Sequence, residues 1–95
     1  MGYYLGVEIP EEVLDDVRKR LRRIAGQVQG VERMLSEGRE CRDVVTQIAA
    51  ISKAVDRAGL KLVAAGLAYC LADPERAAAD GYPIETVEKM LMSIS

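Results

Sequence analysis

The sequence contains no histidine, no tryptophan and no phenylalanine. Without histidine the chain lacks the common general base, the imidazole metal ligand and the side chain that titrates near neutral pH. Without Trp or Phe it has no large aromatic plugs for a thick single-chain core, so its aliphatic inventory suits a thin helical assembly. No run approaches the ~18 apolar residues of a membrane span, and the N-terminus MGYYLGVEIPEE lacks a basic flank followed by an apolar stretch. A cytoplasmic protein with no membrane partner is expected. The chain has only two cysteines, Cys41 and Cys70, placed far apart, which argues for free or reactive thiols rather than a structural staple. No cofactor is expected.

At 95 residues, 49% hydrophobic and 29% charged, the chain has room for one core. An irregular segment over residues 1–9 should precede a single helical domain over 10–95. The net charge of -2 hides a segregation of sign: Arg18-Lys19-Arg20-Leu21-Arg22-Arg23 follows Glu11, Glu12, Asp15 and Asp16. A positive band on a mildly acidic body results, and clustered arginines match phosphate geometry better than a mixed solubilising surface would.

Pro10-Glu11-Glu12 favours a helix start, with proline in the first turn and acids near the positive dipole end. Apolar residues then recur at Leu14, Val17, Leu21, Ile24, Val28, Val31 and Leu35 in alternating steps of three and four, one narrow stripe on a long helix. Gly26 and Gly30 interrupt it, and each costs about 1 kcal/mol against Ala, so close approach of another backbone is the expected reason. Gly38 caps the helix.

A second helix should run from Cys41 to about Leu71, carrying Val44, Ile48, Ile51, Val55, Ala58 and Leu62 at the same spacing, until Asp73-Pro74 ends it. A polar, alanine-rich link leads to Tyr82-Pro83 and a short third helix over Ile84 to Met92. The expected fold is all-α: a three-helix protomer whose two long helices form a hairpin with an apolar flank left over. An antiparallel four-helix-bundle dimer is the economical cover, burying Leu21, Ile24, Val28, Ile48, Ile51 and Val55. Tyr3, Tyr4 and Tyr69 read as packing or surface residues.

The block Arg20-Leu-Arg-Arg-Ile-Ala-Gly-Gln-Val-Gln-Gly-Val31, with Met34 to Arg39, Cys41 and Val45-Thr-Gln-Ile48 after it, closely resembles the CsoR/RcnR/FrmR family of bacterial metal- and thiol-sensing repressors. The resemblance covers roughly residues 14 to 91. It implies a dimer of dimers that binds operator DNA without a helix-turn-helix and releases it when an inducer binds. It also implies functional cations at Arg20 and Arg57, so Arg18, Lys19, Arg20, Arg22, Arg23 and Arg57 are the expected DNA-binding residues. In copper-sensing members the inducer site combines a cysteine opening helix two, a histidine four residues before the second cysteine, and that second cysteine from the partner chain. Here the cysteines match as Cys41 and Cys70, but the histidine position is Gly66. A two-cysteine site without histidine looks like the CstR-like branch that senses reactive sulfur. Cu(I) held by the same two thiolates is the alternative.

Cys41, at a helix start between Arg39 and Arg42, is the better nucleophile, since the helix dipole and the cations stabilise negative charge there, while Glu40 and Asp43 partly offset them. Cys70, among apolar neighbours near a helix C-terminus, is the better candidate for a resolving partner. On one helix the two stand about 43 Å apart at ~1.5 Å per residue, whereas a disulfide needs Cα atoms within ~7 Å. If both act together, Cys41 of one chain must face Cys70 of another. An oxidoreductase reading fails on the missing CxxC, histidine, glycine-rich loop and strand scaffold. A plain helical interaction module leaves the arginine cluster and the cysteine placement without a reason.

Overall fold

Pro10 has no backbone N–H to leave unpaired, and its carbonyl accepts from Val13 and Leu14 at 3.0 and 3.2 Å, so helix α1 (Glu11–Ser36) starts immediately after it. Proline therefore caps the helix from outside rather than sitting in its first turn. The computed structural model describes residues 8–94 and is helical throughout, with no strand among those residues. Tyr3 and Tyr4, and all but the last two residues of the irregular segment expected over 1–9, lie outside the described part; Ile9 is buried.

Gly38 ends α1 in the left-handed region at φ 70°, with Gly38 N–H donating to Leu35 O at 3.3 Å and Arg39 N–H to Met34 O at 3.0 Å. This pair of bonds satisfies the last carbonyls of α1 and turns the chain within four residues into α2 (Cys41–Ala72). The two helices form an elongated hairpin, 55 Å in its longest dimension.

The alanine-rich stretch expected to be a link is itself a short helix, α3 (Pro74–Ala79), so the protomer has four helices among the described residues rather than three. Asp73 explains it. Held extended by the following proline, it stops α2, and its carboxylate accepts from Arg76 N–H at 3.3 Å to cap α3, with Pro74 in the first helical position. Gly81, at φ 91°, ends α3 with the same two-bond cap that Gly38 makes: Gly81 N–H to Ala78 O and Tyr82 N–H to Ala77 O. The last helix, α4 (Ile84–Ile94), then folds back on α2.

The core lies at the end of the hairpin where these elements meet. Val63 and Cys70 of α2, Ala77 of α3 and Val87 of α4 are buried together, with Leu67, Leu91 and Ile94 packed against them. Val87 is 2% exposed, and burial of a side chain of that size contributes roughly 1.5–3 kcal/mol. Ile94 Cδ1 would stand 3.2 Å from a Cβ at Gly59, so glycine there lets α4 close on α2. No comparable approach among the described residues accounts for Gly26 or Gly30.

Away from that core the hairpin is one layer thick. The α1 stripe divides into two rows: Val17, Ile24 and Val31 are buried within the protomer, whereas Leu21, Val28 and Leu35 are exposed. On α2, Val44 and Ala58 are buried, and Ile48 and Val55 are exposed. Of the six residues expected in a dimer seam, Ile24 is already covered within one chain, Ile51 is half-covered, and Leu21, Val28, Ile48 and Val55 are open.

Candidate nucleic-acid interface and sensor thiols

Six consecutive residues of a helix span more than a full turn, so the run from Arg18 to Arg23 cannot present one face; Arg22 lies roughly 160° around α1 from Arg20. The structure sorts the run accordingly. Arg18 pairs with Glu11 at 3.7 Å, Lys19 with Asp15 at 3.1 Å and Arg20 with Asp16 at 2.9 Å, so the upstream acids take up three of the five cations of the expected band. Arg22, Arg23 and Arg57 are exposed and have no ion-pair partner among the described residues.

Arg20 and Arg23, three residues apart on α1, face Arg57 of α2 across a cleft of about 220 Å³ floored by Ala50 and Ala54. The two alanines keep the helix surface low between the guanidinium groups, and Gln27 joins the lining with a buried Oε1 that has no hydrogen-bond partner among the described residues. Three guanidinium groups around one polar cleft form a site for bidentate contacts to phosphate oxygens. Arg18, Lys19 and Arg22 line no part of it.

Two residues missed by the sequence reading belong to this face. Lys61, one turn beyond Arg57 on α2, reaches across to Asp16 of α1 at 3.2 Å, and Asp16 is the residue that also holds Arg20. The i,i+4 spacing of Arg57 with Lys61 and of Asp16 with Arg20 shows which residues share a helix face, though not that the two faces meet. The Asp16 carboxyl is held below its ordinary range, first by the hydrogen bond from Arg20 and then by that from Lys61.

The thiols occupy opposite ends of α2. Cys41 is its first residue and is exposed; Cys70, near the other end, is 3% exposed. Its Sγ donates to Tyr82 O at 3.1 Å, and it lines a cleft of about 260 Å³ with Leu71, Pro83 and Ile84. Next to it, Tyr69 Oη donates to Asp80 Oδ2 at 3.1 Å. Gly66, one turn before Cys70, is buried, yet a Cβ there would meet nothing within 4 Å. Among the described residues no group of three or more His, Cys, Asp or Glu could hold a metal within one chain, and no helix is long and apolar enough to cross a membrane.

Comparison with known proteins follows the same lines. The profile of a family described as "metal-sensitive transcriptional repressor" matches residues 14–95. The copper-sensing transcriptional repressor RicR of Mycobacterium tuberculosis is 44% identical over 69 residues, which is 73% of this chain and 69% of RicR. The copper-sensing transcriptional repressor CsoR of Bacillus subtilis is 37% identical over 59 residues, 62% of this chain and 58% of CsoR. Among solved structures, the copper-sensing repressor CsoR with Cu(I) from Geobacillus thermodenitrificans superposes with a TM-score of 0.69 at 34% identity, covering 94% of this chain and 91% of that one. The all-helical fold, the family match and these relatives define a transcriptional repressor. Within that class, the chain belongs to the metal-sensitive transcriptional repressor family.

Proposed function

We propose that this protein is a cytoplasmic, operator-binding repressor, assembled as an antiparallel dimer and a dimer of dimers, and that reactive sulfur species release it from DNA through Cys41 and Cys70. Dimerisation is supported by the open apolar rows: Leu21 is 49% exposed, Ile48 51% and Val55 47%, left open by the described residues of the chain. DNA binding is supported by Arg20, Arg23 and Arg57 around one cleft. Arg18, Lys19 and Arg22 contribute at most to the general field.

The observation that carries the inducer assignment is Gly66. In a chain without histidine, the position that the copper-sensing pattern gives to imidazole has no side chain at all, leaving two thiols. Two thiols suit sulfur chemistry. The Cys41 thiolate attacks a sulfane sulfur of a polysulfide; a Cys41–S bond forms, the donor S–S bond breaks, and the shortened polysulfide leaves with the electron pair. Cys70 of the partner subunit then attacks the inner sulfur of the Cys41 persulfide. A disulfide forms, and hydrosulfide leaves with the Cys70 proton. Both thiols are oxidised and the sulfane sulfur is reduced. Where Cys41 takes two or three sulfurs from a longer donor, Cys70 of the partner subunit attacks the next-to-last sulfur of that chain and expels the terminal one as hydrosulfide, leaving a tri- or tetrasulfide bridge.

Cu(I) is the second reading, favoured by the relatives: RicR and CsoR are copper-sensing repressors, and the superposed structure contains Cu(I). Two thiolates can hold Cu(I), a soft ion, in a linear site. DNA release by polysulfide and by Cu(I), followed in parallel with non-reducing electrophoresis, separates the two. Under the sulfur reading, polysulfide releases DNA and yields a covalent dimer that a reductant reverses. Release by trace Cu(I) without a covalent link, with polysulfide inert, replaces that reading with the copper one.

A further inference from the structure

Beside the arginine-lined cleft stands a carboxylate, Asp16. Asp16 Oδ2 accepts from Arg20 Nε at 2.9 Å on its own helix and from Lys61 Nζ at 3.2 Å across the hairpin. One carboxylate oxygen thus holds two of the cations on the face. The side chains are 35–47% exposed, so the cluster lies in water, where such pairs contribute little to stability. Asp16 and Lys61, with Glu12, line a groove between α1 and α2, and stand one helical turn from Arg20 and Arg57 of the cleft. A carboxylate there opposes any approaching phosphate.

We propose that Asp16 is an internal stand-in for a DNA phosphate: in the free repressor it occupies Arg20 and Lys61, and it yields both to backbone phosphates when DNA binds. Lys61 thereby joins Arg20 and Arg57 as a phosphate-contacting residue, and Asp16 lowers affinity for DNA of any sequence. This inference rests on the DNA-binding reading above. Its stereochemistry is straightforward. The ion pair uses only Nε of Arg20, which leaves both Nη groups able to engage a phosphate before the carboxylate is displaced. A cation already neutralised by Asp16 releases fewer counterions on binding DNA, so the carboxylate also flattens the salt dependence.

Fluorescence titration of a random-sequence duplex at several salt concentrations tests this with Asp16→Asn, which keeps an acceptor for Arg20 and removes the charge. Expected is a rise in affinity of about three- to tenfold at low salt, with the log–log salt slope steeper by about one unit. Lys61→Gln should weaken binding and flatten the slope by about one unit. In the double variant the gain from Asp16→Asn should shrink, because one of the freed cations is gone. Circular dichroism confirms that each variant is folded. Weaker binding by folded Asp16→Asn overturns the proposal, since Asp16 would then support Arg20 rather than compete for it; unchanged affinity and slope overturn it as well. Arg57→Ala separates this from the reading beneath it. A parent that binds DNA through Arg57 but does not respond at Asp16 defeats only the stand-in, whereas a parent without salt-dependent DNA binding defeats the DNA reading itself.

Discussion

Cys70 and Tyr82 are joined by a hydrogen bond in which the buried thiol donates to the main-chain carbonyl at 3.1 Å, tying the end of α2 to the turn between α3 and α4. Tyr69, beside Cys70, ties the same turn through Asp80. Any chemistry that replaces the Cys70 proton removes one of these two ties. Cys70→Ala should therefore lower unfolding stability by roughly 1–2 kcal/mol in urea titrations, from the lost donor and the lost sulfur volume. An unchanged midpoint would show that the turn does not depend on the thiol.

The second tie gives a pH signature. The Tyr69 phenol is pushed above its ordinary value, chiefly by burial and next by its bond to Asp80. Because the folded value is raised, the contribution is fully present below about pH 10, where unfolded tyrosine is still protonated, and is lost as pH rises through the folded value. Tyr69→Phe removes that titration. Melting temperatures between pH 8 and 11 should fall faster for the parent than for the variant; parallel declines would sink the assignment.

The course of the long helices was legible because their signals are local: Gly38 and Asp73-Pro74 act on the chain beside them. Asp73-Pro74 was read only as a stop, although an aspartate before a proline is also a helix start, and α3 was lost for that reason. The apolar stripe was legible as a stripe but not as two rows. Val17, Ile24 and Val31 differ from Leu21, Val28 and Leu35 only in which neighbour covers them, and that depends on how α1 is rotated against α2. The Asp16–Lys61 pair was hidden by the same unknown, since no spacing within one helix states what faces it from the other.

The open rows lead to a prediction about assembly. Val28, 43% exposed, and Ile48 carry no structural duty within one chain that a lysine stem could not meet. In the proposed dimer the same positions are buried, and an ammonium group there has no partner. Val28→Lys and Ile48→Lys should each shift sedimentation toward smaller species, lower the melting temperature and weaken the dependence on protein concentration that a dimeric parent shows. A parent that sediments as a monomer at micromolar concentration would overturn the dimer outright.

The division of the basic run predicts unequal arginines. Arg57→Ala and Arg20→Ala should weaken DNA binding and reduce the salt slope by about one unit each. Arg22, far around α1 from the cleft, should have a smaller effect when replaced by Ala. Equal losses at Arg22 and Arg57 would mean that the whole band, rather than the cleft, meets the DNA.

Gly66 allows the two inducers to be separated in one protein. A Cβ at this position meets nothing within 4 Å, and glycine is the poorer helix former, so the helix backbone accepts a side chain at Gly66, and circular dichroism checks that Gly66→His is folded. Four residues before Cys70 on the same helix, an imidazole stands one turn from that thiol. If Cys41 of the partner subunit completes the set, the variant gains the two-sulfur, one-nitrogen site of the copper-sensing pattern. Cu(I) affinity, measured by competition with a chromogenic chelator, should rise at least about tenfold, the low end of what even the outer-shell partners of metal ligands contribute. Cu(I) should then release the variant from DNA. Polysulfide crosslinking needs only the two sulfurs, so it should persist in Gly66→His, and it should disappear in Cys41→Ser, which lacks the attacking thiolate. Cys70→Ser should still accumulate a persulfide on Cys41 but form no bridge. If the parent already binds Cu(I) as tightly as Gly66→His and responds to it on DNA, histidine is dispensable here. The copper reading would then replace the sulfur one.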